Sequence, residues 1–127
     1  MRALRTILIF WLPLVAWLLV IHNFSATPSA ELPRVGIPYA DKVFHMVEYF
    51  VLGVLLIRAF DKSEFKVSLA KLAILAIIIA SCYGGLDELY QRTRPDRSCD
   101  IFDFLADSLG ALAGIVIYIA DRQDRRG

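Results

Sequence analysis

Residues 72–86 have the sequence LAILAIIIASCYGGL, and residues 7–21 have the equally apolar sequence ILIFWLPLVAWLLVI. A helix that crosses a membrane needs roughly 20 mainly apolar residues, because the hydrocarbon core is about 30 Å thick. Two further stretches, VFHMVEYFVLGVLLI (residues 43–57) and IFDFLADSLGALAGIVIYIA (residues 101–120), are long enough but contain acidic residues. Strands do not fit these runs, since an open sheet cannot satisfy its backbone in lipid and so few strands cannot close a barrel.

The apolar runs therefore predict an all-α fold, an integral membrane four-helix bundle that forms a single domain over residues 1–127. The predicted helices lie at about residues 4–22, 43–60, 69–88 and 101–120. The alternative for the first run is a cleaved signal peptide, but the segment after it has no clear small-x-small cleavage site, so we expect an uncleaved helix.

Composition excludes several other classes of protein. The chain is 57% hydrophobic and 21% charged, and its mean hydropathy is +0.56. A formal net charge of +1 leaves no excess basic surface for phosphates, so we expect no nucleic-acid partner. Two cysteines cannot form a disulfide framework or a cysteine-only zinc site.

Basic residues predict the orientation, since cytoplasmic loops are enriched in Lys and Arg. Three basic groups fall on one side of a four-helix chain: Arg2 and Arg5; Arg58, Lys62, Lys66 and Lys71; and Arg122, Arg125 and Arg126. Both termini are therefore expected in the cytoplasm, with loops 23–42 and 89–100 outside. We expect the first of these loops to be extended and irregular, because it contains Pro28, Pro33 and Pro38. Arg92, Arg94 and Arg97 depart from the charge rule and need another reason to lie outside.

Polar residues recur at the outer ends of three predicted helices. They are Asp41, His45, Glu48 and Tyr49 on the second, Asp87, Glu88 and Gln91 on the third, and Asp100, Asp103 and Asp107 on the fourth. Spacings of three and four residues place each set on one helix face. An ionised carboxylate within a membrane span costs a few kcal/mol unless it is paired or hydrated, so we expect the faces to converge. Ala106, Gly110 and Gly114 form a row of small residues that lets a neighbouring helix approach closely.

These motifs resemble the VanZ-like family over about residues 33–114. The second helix carries D-K-x-x-H-x-x-x-Y-x-x-L-G at Asp41, Lys42, His45, Tyr49, Leu52 and Gly53. The later motifs are D-E-x-x-Q at Asp87, Glu88 and Gln91, a loop arginine at Arg97, and D-x-x-x-[ND]-x-x-G-x-x-x-G at Asp103, Asp107, Gly110 and Gly114. Asp107 stands where asparagine is typical, which adds a carboxylate to the motif. The resemblance implies a bacterial cytoplasmic membrane and an association with lowered susceptibility to teicoplanin, a lipid-bearing glycopeptide.

Three hypotheses of function remain open at this point. The first is an enzyme that acts on an envelope lipid or lipid-linked precursor, with His45 as general acid or base. In this hypothesis Asp87, Glu88 and Asp103 hold a divalent cation or tune the histidine, and Arg97 binds a phosphate or carboxylate. Substrate-binding candidates are Asp41, Tyr49, Gln91 and Asp107. The second is a non-catalytic binder of lipid headgroups or amphiphiles. The third is a structural network in which Arg97, Lys42 and His45 neutralise the carboxylates and only lock the helices together. The sequence leaves the cofactor and the oligomeric state undetermined.

Overall fold

The structure, a computed structural model, describes residues 1–28, 31, 36–63, 65–125 and 127, without the side chain of Arg2. This part of the chain contains four helices that are long and apolar enough to cross a membrane, and it contains no strand. The predicted all-α four-helix architecture is confirmed.

The helices are longer than the apolar runs predict. Helix α1 joins Arg2–Thr6, a π-helical turn Ile7–Trp11 and Leu12–Ala26. The others are α2 (Ala40–Lys62), α3 (Leu69–Gln91) and α4 (Ile101–Asp124). The expectation of an irregular loop over residues 23–42 was wrong at both ends, which are helical, and Pro33 lies outside the described residues. The helices extend past the apolar runs because several polar residues near their ends pair with one another.

The irregular turn of α1 comes directly before Pro13. Proline has no N–H, and its ring clashes with the carbonyl four residues earlier, here that of Ile9. The π-helical turn Ile7–Trp11 contains this carbonyl. The departure from α-helical geometry therefore lies in the turn that precedes Pro13.

The helices alternate in direction, so the bundle has two distinct ends. At the end that carries both termini, Asp61 on α2 accepts hydrogen bonds from Tyr118 and Arg122 on α4, the shorter at 2.9 Å. At the opposite end, Lys42 on α2 reaches Asp100 beside α4 at 2.8 Å. We call these the terminal end and the site end.

Glycines bring α2 and α4 into backbone contact. A Cβ added at Gly110 would overlap with the carbonyl of Met46, one at Gly114 with the carbonyl of Phe50, and one at Gly53 with that of Ala111. Side chains at these positions would hold the helices apart, so the row of small residues fixes how closely α2 and α4 approach. This contact places the polar residues of the two helices opposite one another.

Candidate functional site

A buried pair of side chains joins α2 to α4 at the site end. His45 Nδ1 lies 2.9 Å from Asp107 Oδ1, and Asp107 has 0% of its surface exposed. Asp103, one turn earlier on α4, has its Oδ2 4.0 Å from His45 Nε2. The imidazole therefore lies between two carboxylates, an arrangement that fixes its orientation and suits it to proton transfer or metal binding.

Lys42 neutralises part of this acidic cluster. Its ammonium group donates to Asp103 at 2.7 Å, to Asp100 at 2.8 Å and to Asp41 at 3.2 Å. The hydrogen bond from Lys42 holds the pKa of the Asp100 carboxyl below its usual range, so this group is ionised at neutral pH. All three donors of Lys42 are used within the cluster.

Asp100 also starts α4. Its backbone is extended, and its carboxylate accepts from the N–H of Phe102 at 2.8 Å, as expected for an N-cap residue. Its own N–H donates to Glu88 Oε2 on α3 at 2.9 Å. Glu88 is 2% exposed, and its other oxygen, Oε1, is buried without a hydrogen-bond partner in the described part of the chain. The start of α4 is thus tied to both α2 and α3.

A second polar group connects α3 to α1. Asp87 accepts hydrogen bonds from Ser25 at 2.7 Å and from Gln91 at 3.1 Å, and all three side chains are buried. Gln91 accepts in turn from Arg97 at 3.1 Å. The predicted residues Asp87, Gln91 and Arg97 therefore form a group of their own, linked to one another and to α1.

Two arginines of the segment between α3 and α4 bind the end of α1. Arg97 donates to the main-chain oxygens of Phe24 and Thr27, both at 2.9 Å, and Arg94 donates to that of Ala26 at 3.3 Å. The last carbonyls of a helix lack partners within it, and cations there also interact favourably with the helix dipole. This contact gives a structural reason for two of the arginines that depart from the charge rule.

Tyr49 is enclosed rather than open to a ligand. It is 0% exposed, and none of the described residues forms a hydrogen bond with its hydroxyl. Gly84 on α3 makes room beside it, since a Cβ there would lie 3.3 Å from the Tyr49 ring and 3.1 Å from Asp107 Oδ2. Asp41, by contrast, has an exposed side chain at the rim.

A cavity of about 480 Å³ opens between α3 and the start of α4. Its apolar wall consists of Leu89, Ile101 and Phe104, and its polar wall includes Glu88 and Asp100. Leu89 and Ile101 are exposed on the outer surface of the bundle, which in a membrane faces lipid. The cavity thus leads from the lipid-facing surface to the acidic cluster.

Comparison with known proteins identifies the family. A family model described as VanZ/LLP1 matches residues 4–121, nearly the whole chain. The chain belongs to the VanZ/LLP1 family. It is also similar to an uncharacterized protein of Schizosaccharomyces pombe, with 30% identity over 88 residues, which are 68% of this chain and 51% of that protein. The chain thus spans about half the length of this curated relative, and no solved structure matches it.

The polar residues of this VanZ/LLP1 protein include one set with the composition of a metal site. His45, Glu88 and Asp107 each offer a ligand atom, and these atoms lie within 4.8 Å of one another. The sequence had instead grouped Asp87 and Asp103 with Glu88 for a cation. In the structure Asp87 bonds to Ser25 and Gln91, and Asp103 bonds to Lys42.

Ser25 is the site-end residue of the VanZ/LLP1 chain that sequence reasoning missed. The first helix was predicted to end at residue 22, so Ser25 was assigned to a loop. The residue spacing could have indicated its burial, because Ser25 follows Leu14 and Ile21 at helical intervals of seven and four residues. The three buried positions therefore lie on one face of α1. Lys42 was noted in the motif, but its three carboxylate partners were not predicted.

Proposed function

We propose that this VanZ/LLP1 protein binds the headgroup of a membrane lipid or lipid-linked precursor at the site end of the bundle. The observation that carries the proposal is the cavity that joins a lipid-facing wall to an acidic one. An amphiphile could leave its acyl chains in the bilayer beside Leu89 and Ile101 while its headgroup lies against Asp100. Ligand sites of this kind combine a mainly apolar lining with a few placed polar groups.

The charges of the site favour headgroups that donate hydrogen bonds. Asp100 is ionised and partly exposed, whereas Lys42 already donates to three carboxylates. An ammonium or sugar hydroxyl would therefore find an acceptor, while a bare phosphate would meet repulsion from Asp100 and Asp41. Teicoplanin bears both an acyl chain and sugar hydroxyls, so it is a further probe of the same cavity.

The binding test uses native mass spectrometry of the purified protein with a chelator present. We expect dioctanoyl phosphatidylethanolamine to bind, and dioctanoyl phosphatidate to bind more weakly. In Asp100→Asn the amide still caps α4 but loses the charge, so affinity for phosphatidylethanolamine should fall at least about tenfold, the loss of one charge-assisted hydrogen bond. Gly85→Leu should reduce binding by filling the cavity, whose lining includes Gly85.

Asp121→Asn is the matched control, because Asp121 on α4 pairs with Arg125, the residue that follows this helix, at the terminal end and away from the cavity. Equal lipid binding by wild type, Asp100→Asn and Gly85→Leu would refute the proposed site. A preference for phosphatidate would refute the charge argument.

We further propose that the terminal end faces the cytoplasm and the site end faces outward. Support comes from Arg58, Lys62 and Arg122, which meet around one cavity at the terminal end. Native cysteines provide the test, since Cys99 is exposed in the loop before α4 and Cys82 is exposed within the span of α3. A membrane-impermeant maleimide added to intact cells should label the wild type and Cys82→Ser but not Cys99→Ser. Labelling of Cys99 only after lysis would reverse the orientation.

A further inference from the structure

We propose that His45, Glu88 and Asp107 form a binding site for one divalent transition-metal ion of the Zn²⁺ class. The three residues come from α2, α3 and α4, so no single helix motif contains them. Their ligand atoms lie within 4.8 Å of one another, so small movements of the side chains would bring all three to the roughly 2 Å bonding distance of one ion. This site would add a metal ion to the proposed headgroup site. Binding of the ion itself does not depend on the proposed function, whereas contact between the ion and a headgroup does.

Two buried oxygens without partners point to a ligand at this position. They are Glu88 Oε1 and Asp107 Oδ2, which have no hydrogen-bond partner among the residues that the structure describes. Glu88 is 2% exposed and Asp107 is 0% exposed. Leaving a buried acceptor unsatisfied costs about 1–3 kcal/mol, and more for a charged group. Such atoms call for an explanation, and a cation satisfies both at once.

The space beside Asp107 is kept open by a glycine. A Cβ at Gly84 would lie 3.1 Å from Asp107 Oδ2, closer than most real contacts of this kind. Any larger residue here would crowd the unpartnered oxygen. The absence of a side chain at Gly84 therefore preserves access to one of the three proposed ligands.

The donor set selects the class of ion. An imidazole nitrogen with two carboxylates suits Zn²⁺ and similar transition metals, whereas Mg²⁺ and Ca²⁺ prefer oxygen ligands throughout. With His45 neutral, Glu88 and Asp107 carry a formal charge of −2, which a divalent cation cancels. Three protein ligands leave a position open, as in catalytic zinc sites. At that position the ion would hold an oxygen of the headgroup.

The test needs a background without competing ligands. His22, Cys82 and Cys99 are exposed, so we would use the triple variant His22→Ala/Cys82→Ser/Cys99→Ser, in which His45 is the remaining histidine. After removal of metal with a chelator, the protein is incubated with zinc chloride, gel-filtered and analysed for zinc content. We expect one zinc ion per chain, unaffected by excess Mg²⁺ or Ca²⁺.

Variants locate the ion. His45→Ala, Glu88→Gln and Asp107→Asn should each weaken zinc binding at least about tenfold, the scale expected even for residues around a metal ligand. Asp121→Asn, at the terminal end, should bind zinc as the background does. Zinc that remains in His45→Ala would overturn the assignment, and so would zinc content no higher than the buffer blank in the background protein.

A variant can also lose zinc because it fails to fold, so a second measurement uses the unaltered ligands. Co²⁺ in a four-coordinate site with imidazole should give visible absorption bands in the background protein, and added Zn²⁺ should abolish them. Absence of these bands would overturn the proposal. Lipid binding is measured with a chelator present and therefore without the metal ion. Failure of the metal site would leave that binding intact, whereas failure of the headgroup site would abolish it.

Discussion

Replacement of Gly110 by alanine tests how the bundle is held together. The added Cβ would overlap with the carbonyl oxygen of Met46 and would lie 2.9 Å from its carbonyl carbon. Carbon atoms pack best at about 3.5–4 Å, so α2 and α4 would have to separate by at least about 0.6 Å. The obstructing atoms belong to a helix backbone, which cannot rotate away as a side chain can.

The energetic cost follows from this separation. Overpacking of a well-packed contact costs about 1–3 kcal/mol. His45 adjoins Met46 in sequence and Asp107 lies one turn before Gly110, so their 2.9 Å contact would lengthen as well. Loss of one such hydrogen bond adds about 1 kcal/mol or more. We expect Gly110→Ala to lower the free energy of unfolding by about 2–4 kcal/mol.

The assay is reversible unfolding of the purified protein in mixed micelles with increasing sodium dodecyl sulfate, followed by circular dichroism. Gly85→Ala is the matched control, since it is the same change within α3 and its Cβ would meet the Phe104 ring at an ordinary 3.7 Å. This control should keep wild-type stability or gain slightly from the better helix propensity of alanine. A Gly110→Ala protein as stable as Gly85→Ala would refute the backbone contact between α2 and α4.

Two further predictions concern polar pairs at the site end. Ser25→Ala should lower the free energy of unfolding by about 1–3 kcal/mol, because it removes a hydrogen bond to the buried Asp87. Ser108→Ala is the control and should be nearly neutral, since the Ser108 hydroxyl is buried without a partner among the described residues. Lys42→Met should raise the pKa of Asp100, read from its ¹³Cγ chemical shift, while Lys42→Arg should keep it low. A carboxyl whose pKa is lower in the folded state stabilises the fold at pH values above its unfolded-state pKa, about 3.9 for Asp. This contribution is lost as the pH falls through the folded-state pKa, and the loss of stability on acidification should therefore be smaller in Lys42→Met. An Asp100 titration that is identical in wild type and Lys42→Met would contradict the pairing.

The number and order of the helices could be predicted from the sequence because each apolar run is close to the thickness of a bilayer. Their ends could not, because hydropathy counts Ser25 and Gln91 as polar although the structure buries both. Burial at these positions depends on partners from other helices. A pattern confined to one helix does not contain that information.

Residue spacing also predicted that the acidic and basic residues of three helices would converge. It did not predict the individual pairs, since Lys42 could reach any of several carboxylates until the axial offset of α2 and α4 was known. Arg97 presents the harder case, because two of its acceptors are main-chain oxygens, that of Phe24 in the last turn of α1 and that of Thr27 directly after it. Every residue type has a main-chain carbonyl, so no sequence motif marks a particular carbonyl as a partner.

The attachment of α1 has a consequence for how freely its sequence can change. Tyr83 donates to the main-chain oxygen of Leu18, and Arg97 to those of Phe24 and Thr27. Every amino acid supplies such an oxygen, so these anchors are indifferent to the side chains that α1 carries at those positions. Related proteins can therefore diverge at these three positions while keeping α1 docked in the same place, whereas Ser25 acts through its side chain and is constrained by its contact with Asp87.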